Sequence, residues 1–261
     1  MNKPLALLAN DDGFDSPGLI ALAEAVREVF EVVVVAPLDE QSATSHSLSL
    51  HRPLRSKEIP ANGYRCFAVD GTPADCVYLA LHTETRFLPR RPDLVISGVN
   101  RGLNLGQDAF YSGTVAAARE GALRGIPALA SSARSYQNLP ATCALTTALA
   151  LRLYEQCRGL GVLFGLNVPL EWNGAIKVTR LGRRLYDEIV ETRTDPRGRE
   201  YFWLGGPDVR HEVDPGSDTE AHDQGFATLS ALRLDLTEPR GEDAALRLAA
   251  DLSTPGARNT P

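Results

Sequence analysis

The chain has 261 residues, enough to bury a full core as one large domain or as one domain with a sizeable extension. Hydrophobic residues make up 43% and charged residues 23%, with a formal net charge of -6, a balance that suits a globular enzyme and excludes broad adhesion to a DNA or RNA duplex or to an anionic membrane. Cys66, Cys76, Cys143 and Cys157 are scattered, without a Cys-x-x-Cys pair or neighbouring histidines, which excludes a zinc knuckle and a disulfide framework and predicts reduced, mostly buried thiols. The amino-terminal Met1-Asn2-Lys3-Pro4 leads into an apolar run too short for a membrane span and without a signal-peptide pattern, so a cytoplasmic location is expected.

Leu5 to Ala9 reads as a buried strand ending in Asn10-Asp11-Asp12-Gly13. Ser16-Pro17 opens a helix whose apolar face, Leu19, Leu22, Ala23 and Val26, runs as far as Phe30, and Val32 to Ala36 is the next strand. Strand, helix, strand implies a right-handed crossover and a parallel sheet. The alternation continues with a strand at Cys66 to Val69, a helix at Ala74 to Leu81, a strand at Leu94 to Ser97 and a helix at Val115 to Leu123. A strand at Ala128 to Ala130, a helix near Ala141 to Tyr154 and a strand at Val162 to Asn167 follow. The fold class expected is α/β: a Rossmann-like, doubly wound, mostly parallel sheet over residues 1–172. After Asn173 helix periodicity fades, and Thr192 to Pro215 is rich in Asp, Pro, Arg and Gly, so 173–236 is expected to be a strand and loop extension rather than another layer, used in subunit contact. Residues 237–261 are expected to hold a helix near Asp243 to Leu252 and a frayed tail.

Ligands of a doubly wound sheet bind at the carboxyl ends of its strands, which directs attention to four polar segments. These are Asp11-Asp12, Asp39 to Ser42, Ser97-Gly98-Val99-Asn100, and Ser112-Gly113-Thr114. Adjacent carboxylates repel, and a hard cation held by oxygen ligands is the simplest compensation. One Asp of an isolated pair can instead cap a helix while the other faces water, but Ser42 and Asn100, two more hard oxygen donors after sheet strands, favour the metal. The glycine-rich run from Ser97 to Gly106 has neither the G-x-G-x-x-G spacing nor a following Gly-Lys-Ser/Thr, so it is neither a dinucleotide fingerprint nor a P-loop. Ser112-Gly113-Thr114 reads either as an ordinary N-cap or as a helix start whose free N–H groups hold a phosphate.

Taken together, Asn10-Asp11-Asp12-Gly13, Ser16-Pro17-Gly18, Gly71-Thr72-Pro73-Ala74-Asp75-Cys76, Ser97-Gly98-Val99-Asn100 and Tyr111-Ser112-Gly113-Thr114-Val115 resemble the SurE family of stationary-phase survival nucleotidases. The likeness continues through Asn167-Val168-Pro169, Asp195-Pro196-Arg197-Gly198-Arg199 and Tyr201-Phe202-Trp203, while Thr228 to Leu232 departs from the family's Ser-x-Thr-Pro-Leu. The resemblance implies a Rossmann-like sheet whose carboxyl-terminal strands exchange between subunits of a homodimer or homotetramer. It also implies hydrolysis of nucleoside 5'- and 3'-monophosphates with one divalent metal per subunit, Mg or Mn. Its metal positions fall on Asp11, Asp12, Ser42 and Asn100.

In that reading Asp11, Asp12, Asn104, Ser112 and Thr114 are the catalytic group, and Asn100, Asn104, Ser112, Gly113 and Thr114 bind the substrate phosphate. Spacing alone leaves Asp11 open as ligand or nucleophile. His46, Asp108 and Arg101 are weaker candidates for contacts with phosphate, water or leaving group, as are Tyr201 and Trp203 for stacking on a base. A phosphorylated signalling receiver would want an Asp at the end of its central strand, where this chain has Gly98-Val99-Asn100. A haloacid-dehalogenase-type phosphatase would want Asp-x-Asp in place of Asp11-Asp12-Gly13.

Overall fold

The structure is a computed structural model that describes residues 3–186, 190–204 and 209–253. In chain order its elements are β1 (Leu5–Ala9), α1 (Pro17–Val26), β2 (Glu31–Pro37), β3 (Ser56–Ile59), β4 (Arg65–Val69) and α2 (Pro73–His82). Next come β5 (Leu94–Arg101), α3 (Asp108–Tyr111), α4 (Gly113–Leu123), β6 (Ala128–Ala133), α5 (Leu139–Cys157) and β7 (Leu163–Val168). The remainder comprises β8 (Ile176–Thr179), β9 (Arg184–Tyr186), β10 (Val190–Thr194), β11 (Glu200–Leu204), β12 (Val209–His211), α6 (Asp218–Asp223), β13 (Ala227–Leu232) and α7 (Pro239–Ser253).

The main sheet has the order β3-β4-β2-β1-β5-β6-β7-β13-β8. The strands from β4 to β7 are all parallel, and numbered among themselves they lie 3-2-1-4-5-6, the doubly wound order that reverses at β1. Alternate residues of β1 serve opposite faces, as a strand covered on both sides requires. Leu5, Leu7 and Ala9 pack with Cys76, Val77 and Ala80 of α2 and with Val115, Ala117, Ala118 and Ala122 of α4. Ala6 and Leu8 pack with Leu19, Leu22, Ala23 and Val26 of α1 and with Cys143, Ala150 and Leu153 of α5.

Several elements differ from the sequence reading. The first helix ends at Val26, and Phe30, 1% exposed, reaches the core from the turn that follows it. β3, an antiparallel edge strand with the sequence Ser-Lys-Glu-Ile, is too polar to signal itself. The sheet does not stop at β7: β13 pairs antiparallel with β7, and β8 pairs parallel with β13, so part of the 173–236 segment widens the central sheet. The rest forms two-stranded ribbons, β10 with β11 and β12 with β9. The carboxyl-terminal helix begins earlier than expected, at Pro239, and the expected frayed tail after Ser253 lies outside the described residues. All four cysteines are free, with Cys66, Cys76 and Cys143 buried, and burial pushes the Cys66 and Cys143 thiols up to about 11. Among the described residues no helix is long and apolar enough to cross a membrane.

Candidate active site

The polar segments gather at the carboxyl ends of the parallel strands, beside the reversal of strand order. Asn10, fully buried after β1, donates from Nδ2 to the Gly13 carbonyl and to Ser16 Oγ, both at 2.8 Å. Ser16 in turn caps α1 by accepting from Leu19 N, with Pro17 in the first helical turn. This locks the turn on which Asp11 and Asp12 stand.

Asp11 is 7% exposed, and its Oδ1 accepts from the Thr114 hydroxyl at the start of α4. The helix start is pressed hard against it: a Cβ on Gly113 would lie 2.8 Å from Asp11 Cβ and 3.0 Å from Pro73 Cγ. Burial pushes the Asp11 carboxyl up to about 6, the Thr114 hydrogen bond opposes this, and the neighbouring Asp12 charge adds to it. Asp12 is also raised by burial, against the Arg101 backbone N–H and the Tyr136 hydroxyl, each 3.2 Å from its Oδ2.

Asn100 is brought to this end by a register shift between β5 and β6 after Ser97, a bulge of the kind that re-aims a side chain at a strand end. Gly98 makes the shift possible, because its φ is +131° and a Cβ there would lie 2.2 Å from the Ser131 carbonyl. Asn100 Nδ2 donates to the Gly102 carbonyl at 2.9 Å, which leaves the amide oxygen available. Ser42 is exposed and donates its hydroxyl to Glu40 at 2.7 Å, while the preceding Gln41 N–H is anchored on the Asp11 carbonyl at 2.7 Å. All four expected ligands thus offer hard oxygen with their own hydrogens spent elsewhere or absent. A buried and a half-buried carboxylate that among the described residues form no salt bridge, joined to such donors, fit a divalent cation. Among the described residues no group of three or more His, Cys, Asp or Glu side chains is arranged to hold a metal, so a cation here would depend on the neutral oxygens of Ser42 and Asn100.

The residues expected to bind phosphate are held from below. Asn104 N donates to Asn167 Oδ1 at 2.7 Å, and Asn104 Nδ2 donates to Ser132 Oγ at 2.8 Å. Ser112 is the N-cap of α4, accepting from Val115 N at 3.1 Å, so the ordinary capping role is filled while its hydroxyl hydrogen stays available. The Thr114 hydroxyl is committed to Asp11.

The side chains of the other candidates are engaged elsewhere or exposed, although the Arg101 N–H bonds Asp12 and the Asp108 carbonyl accepts from Ser112 N. His46 pairs with Glu120 at 2.8 Å, and the preceding Ser45 N–H donates to the Tyr111 carbonyl at 3.0 Å. Asp108 pairs with Arg184, the Arg101 side chain is exposed, and Tyr201 and Trp203 are exposed on β11. A cavity of about 730 Å³ opens at the other end of the sheet, among Lys3, Arg27, Glu31, Tyr64 and Arg65, where a doubly wound fold does not place its chemistry. The sequence reading missed Tyr136, Ser132 and Asn167. They follow or end β6 and β7, the same strand-end positions that drew attention to Asp11 and Asn100.

A family model described as Survival protein SurE matches residues 6–188. The chain belongs to the SurE family. A relative named 5'-nucleotidase SurE from Sorangium cellulosum (strain So ce56) is 54% identical over 255 residues, spanning 96% of this chain and 98% of the relative. One of the same name from Myxococcus xanthus (strain DK1622) is 50% identical over 225 residues, 84% of each chain. Among solved structures, the crystal structure of the SurE protein from Aquifex aeolicus superposes with a TM-score of 0.78 at 35% identity, covering 94% of this chain and all of that one. The SurE likeness therefore runs past the parallel core and into the carboxyl-terminal segment.

Proposed function

We propose that this chain is a divalent-metal-dependent phosphomonoesterase that hydrolyses nucleoside 5'-monophosphates, and 3'-monophosphates, to nucleoside and phosphate. The observation that carries the reading is the buried Asp11, set against the start of α4 and beside the half-buried Asp12, in a chain 54% identical to a relative named 5'-nucleotidase SurE. Asp11, Asp12, Ser42 and Asn100 would hold one cation, Mg or Mn. When bound, such an ion supplies Lewis-acid polarisation of a phosphate oxygen and a lowered pKa for an attacking water. Ser112, the Gly113 N–H at the positive end of α4 and Asn104 orient the phosphate, with Asn100 on its cation side. Thr114 fixes Asp11, and Ser132 and Asn167 hold Asn104 in place. In the reaction the water oxygen forms a bond to phosphorus, the ester P–O bond breaks, and a proton passes to the departing nucleoside oxygen.

Homo-oligomerisation through residues 173–236 belongs to the same reading and is supported by Val190, Phe202 and Trp203, exposed at 57%, 59% and 60% on the β10–β11 ribbon. A cytoplasmic location is supported by the free thiols.

The test is phosphate release from a panel of mononucleotides with Mg and Mn, run beside cleavage of a dinucleotide lacking terminal phosphates. Release from several mononucleotides, with weaker release from p-nitrophenyl phosphate, is expected. Faster cleavage of the dinucleotide would make the protein a phosphodiesterase instead.

A further inference from the structure

The loop after β6 carries Tyr136 across to the ends of β1 and β5. Its hydroxyl lies 3.2 Å from Asp12 Oδ2 and 3.1 Å from the Val99 carbonyl, and the ring is partly buried. Arg101 N–H reaches the same Asp12 Oδ2 at 3.2 Å. The backbone N–H at the end of β5 and the single Tyr136 hydroxyl hydrogen, which the Val99 carbonyl also faces, therefore converge on one oxygen of this carboxylate, and among the described residues Oδ1 receives none.

The slot that admits the phenol is made by Gly18 at the start of α1. A Cβ there would lie 2.6 Å from the Tyr136 hydroxyl oxygen and 2.1 Å from the Val99 carbonyl oxygen. Gly18 is helical and buried and is not among the glycines of positive φ, so glycine is needed here for room, not for backbone freedom. The Ser16-Pro17-Gly18 segment thus caps the helix with its first residue and makes space for a side chain from a distant loop with its third.

We propose that Tyr136 is a positioning residue for the divalent cation: it pins Asp12 Oδ2 so that Oδ1 is presented to the metal. This rests on the metal-dependent reading above. A carboxylate rotates readily about its last torsion, and a ligand held by outer hydrogen bonds loses less freedom when the ion binds. Arg101 N–H belongs to the backbone and persists in Tyr136→Phe, so the tyrosine hydroxyl is the part of the clamp that this substitution removes.

The experiment is Mn²⁺ binding to metal-free wild type and Tyr136→Phe, followed by calorimetry and by the electron paramagnetic resonance signal of unbound Mn²⁺, with thermal unfolding of both metal-free proteins. Phosphate release at saturating Mn²⁺ is read alongside. Expected is Mn²⁺ binding weaker by about tenfold or more, the usual effect of losing an outer-shell partner. The metal-free midpoint should change little, and much of kcat should return at saturating Mn²⁺. Unchanged Mn²⁺ binding by the Phe variant overturns the proposal while leaving the metal reading intact. A Phe variant that no longer folds without metal makes Tyr136 a structural strut and overturns it equally. Wild type that binds no Mn²⁺ removes the metal reading itself and this inference with it.

Discussion

Asp11 shows what the site demands of a single residue. Its carboxyl, raised to about 6 mainly by burial, holds a proton more tightly in the folded than in the unfolded chain. In the metal-free protein the stability tied to that proton is complete below about pH 4 and is lost as pH rises through 6, amounting to roughly 2–3 kcal/mol. Urea unfolding of metal-free wild type and Asp11→Asn between pH 4.5 and 7.5 should show wild type losing stability relative to the variant as pH rises. Parallel curves would deny the shift. With metal present the order should reverse: Mn²⁺ raises the unfolding midpoint of wild type and leaves Asp11→Asn unmoved, since only an intact site binds. Asp11→Asn and Asp12→Asn should each lower phosphate release by about 100-fold or more while keeping the native circular dichroism spectrum. Retention of full activity by a variant that binds no metal would take the cation out of the reaction. Gly113→Ala should fail differently, because the new methyl meets Asp11 and Pro73 at 3.0 Å or less, an overpacking that costs about 1–3 kcal/mol and displaces the carboxylate. Asp11 and Asp12 were legible in the sequence as charges too costly to leave uncompensated at a strand end. Tyr136 was not, because a tyrosine in a polar loop carries no such cost until the fold brings Asp12 to it.

Among elements, the six parallel strands and the helices between them were readable because both faces of the sheet are covered, which writes long apolar runs and clear helical periods into the sequence. β8 and β13 were not, since both are short, β8 has no buried residue to mark it, and their partners are far away in the chain. What joins this later segment to the site is also non-local. Asp218, fully buried at the start of α6, accepts from Gly106 N at 2.9 Å and from Gly182 N at 2.7 Å, bridging the loop that carries Asn104 and the strand region after β8. Asp218→Ala would leave the buried Gly106 N–H and the half-buried Gly182 N–H unpaired, the first at about 1–3 kcal/mol. A fall in the unfolding midpoint, together with a raised KM from a loosened Asn104 loop, is the expected result. A variant with wild-type midpoint and KM would show that the loop holds its shape without the bridge.

For the whole molecule, the negative charge bears on what can be bound. At a formal charge of -6 there is no general attraction for a polyanion, so affinity for a mononucleotide should depend on the site alone. KM for a mononucleotide should therefore change by less than about threefold between 50 and 200 mM salt, whereas binding through many phosphate contacts would weaken by orders of magnitude. The order in which the sheet is built has a consequence for synthesis. β7 is paired on one side by β6, but its other side waits for β13, which a ribosome makes only after the ribbons and α6. Until then a nascent chain with a finished parallel core exposes a bare strand edge, the surface that invites pairing between neighbouring chains. Chains of this protein emerging side by side from one message would meet at that edge before any of them could close it.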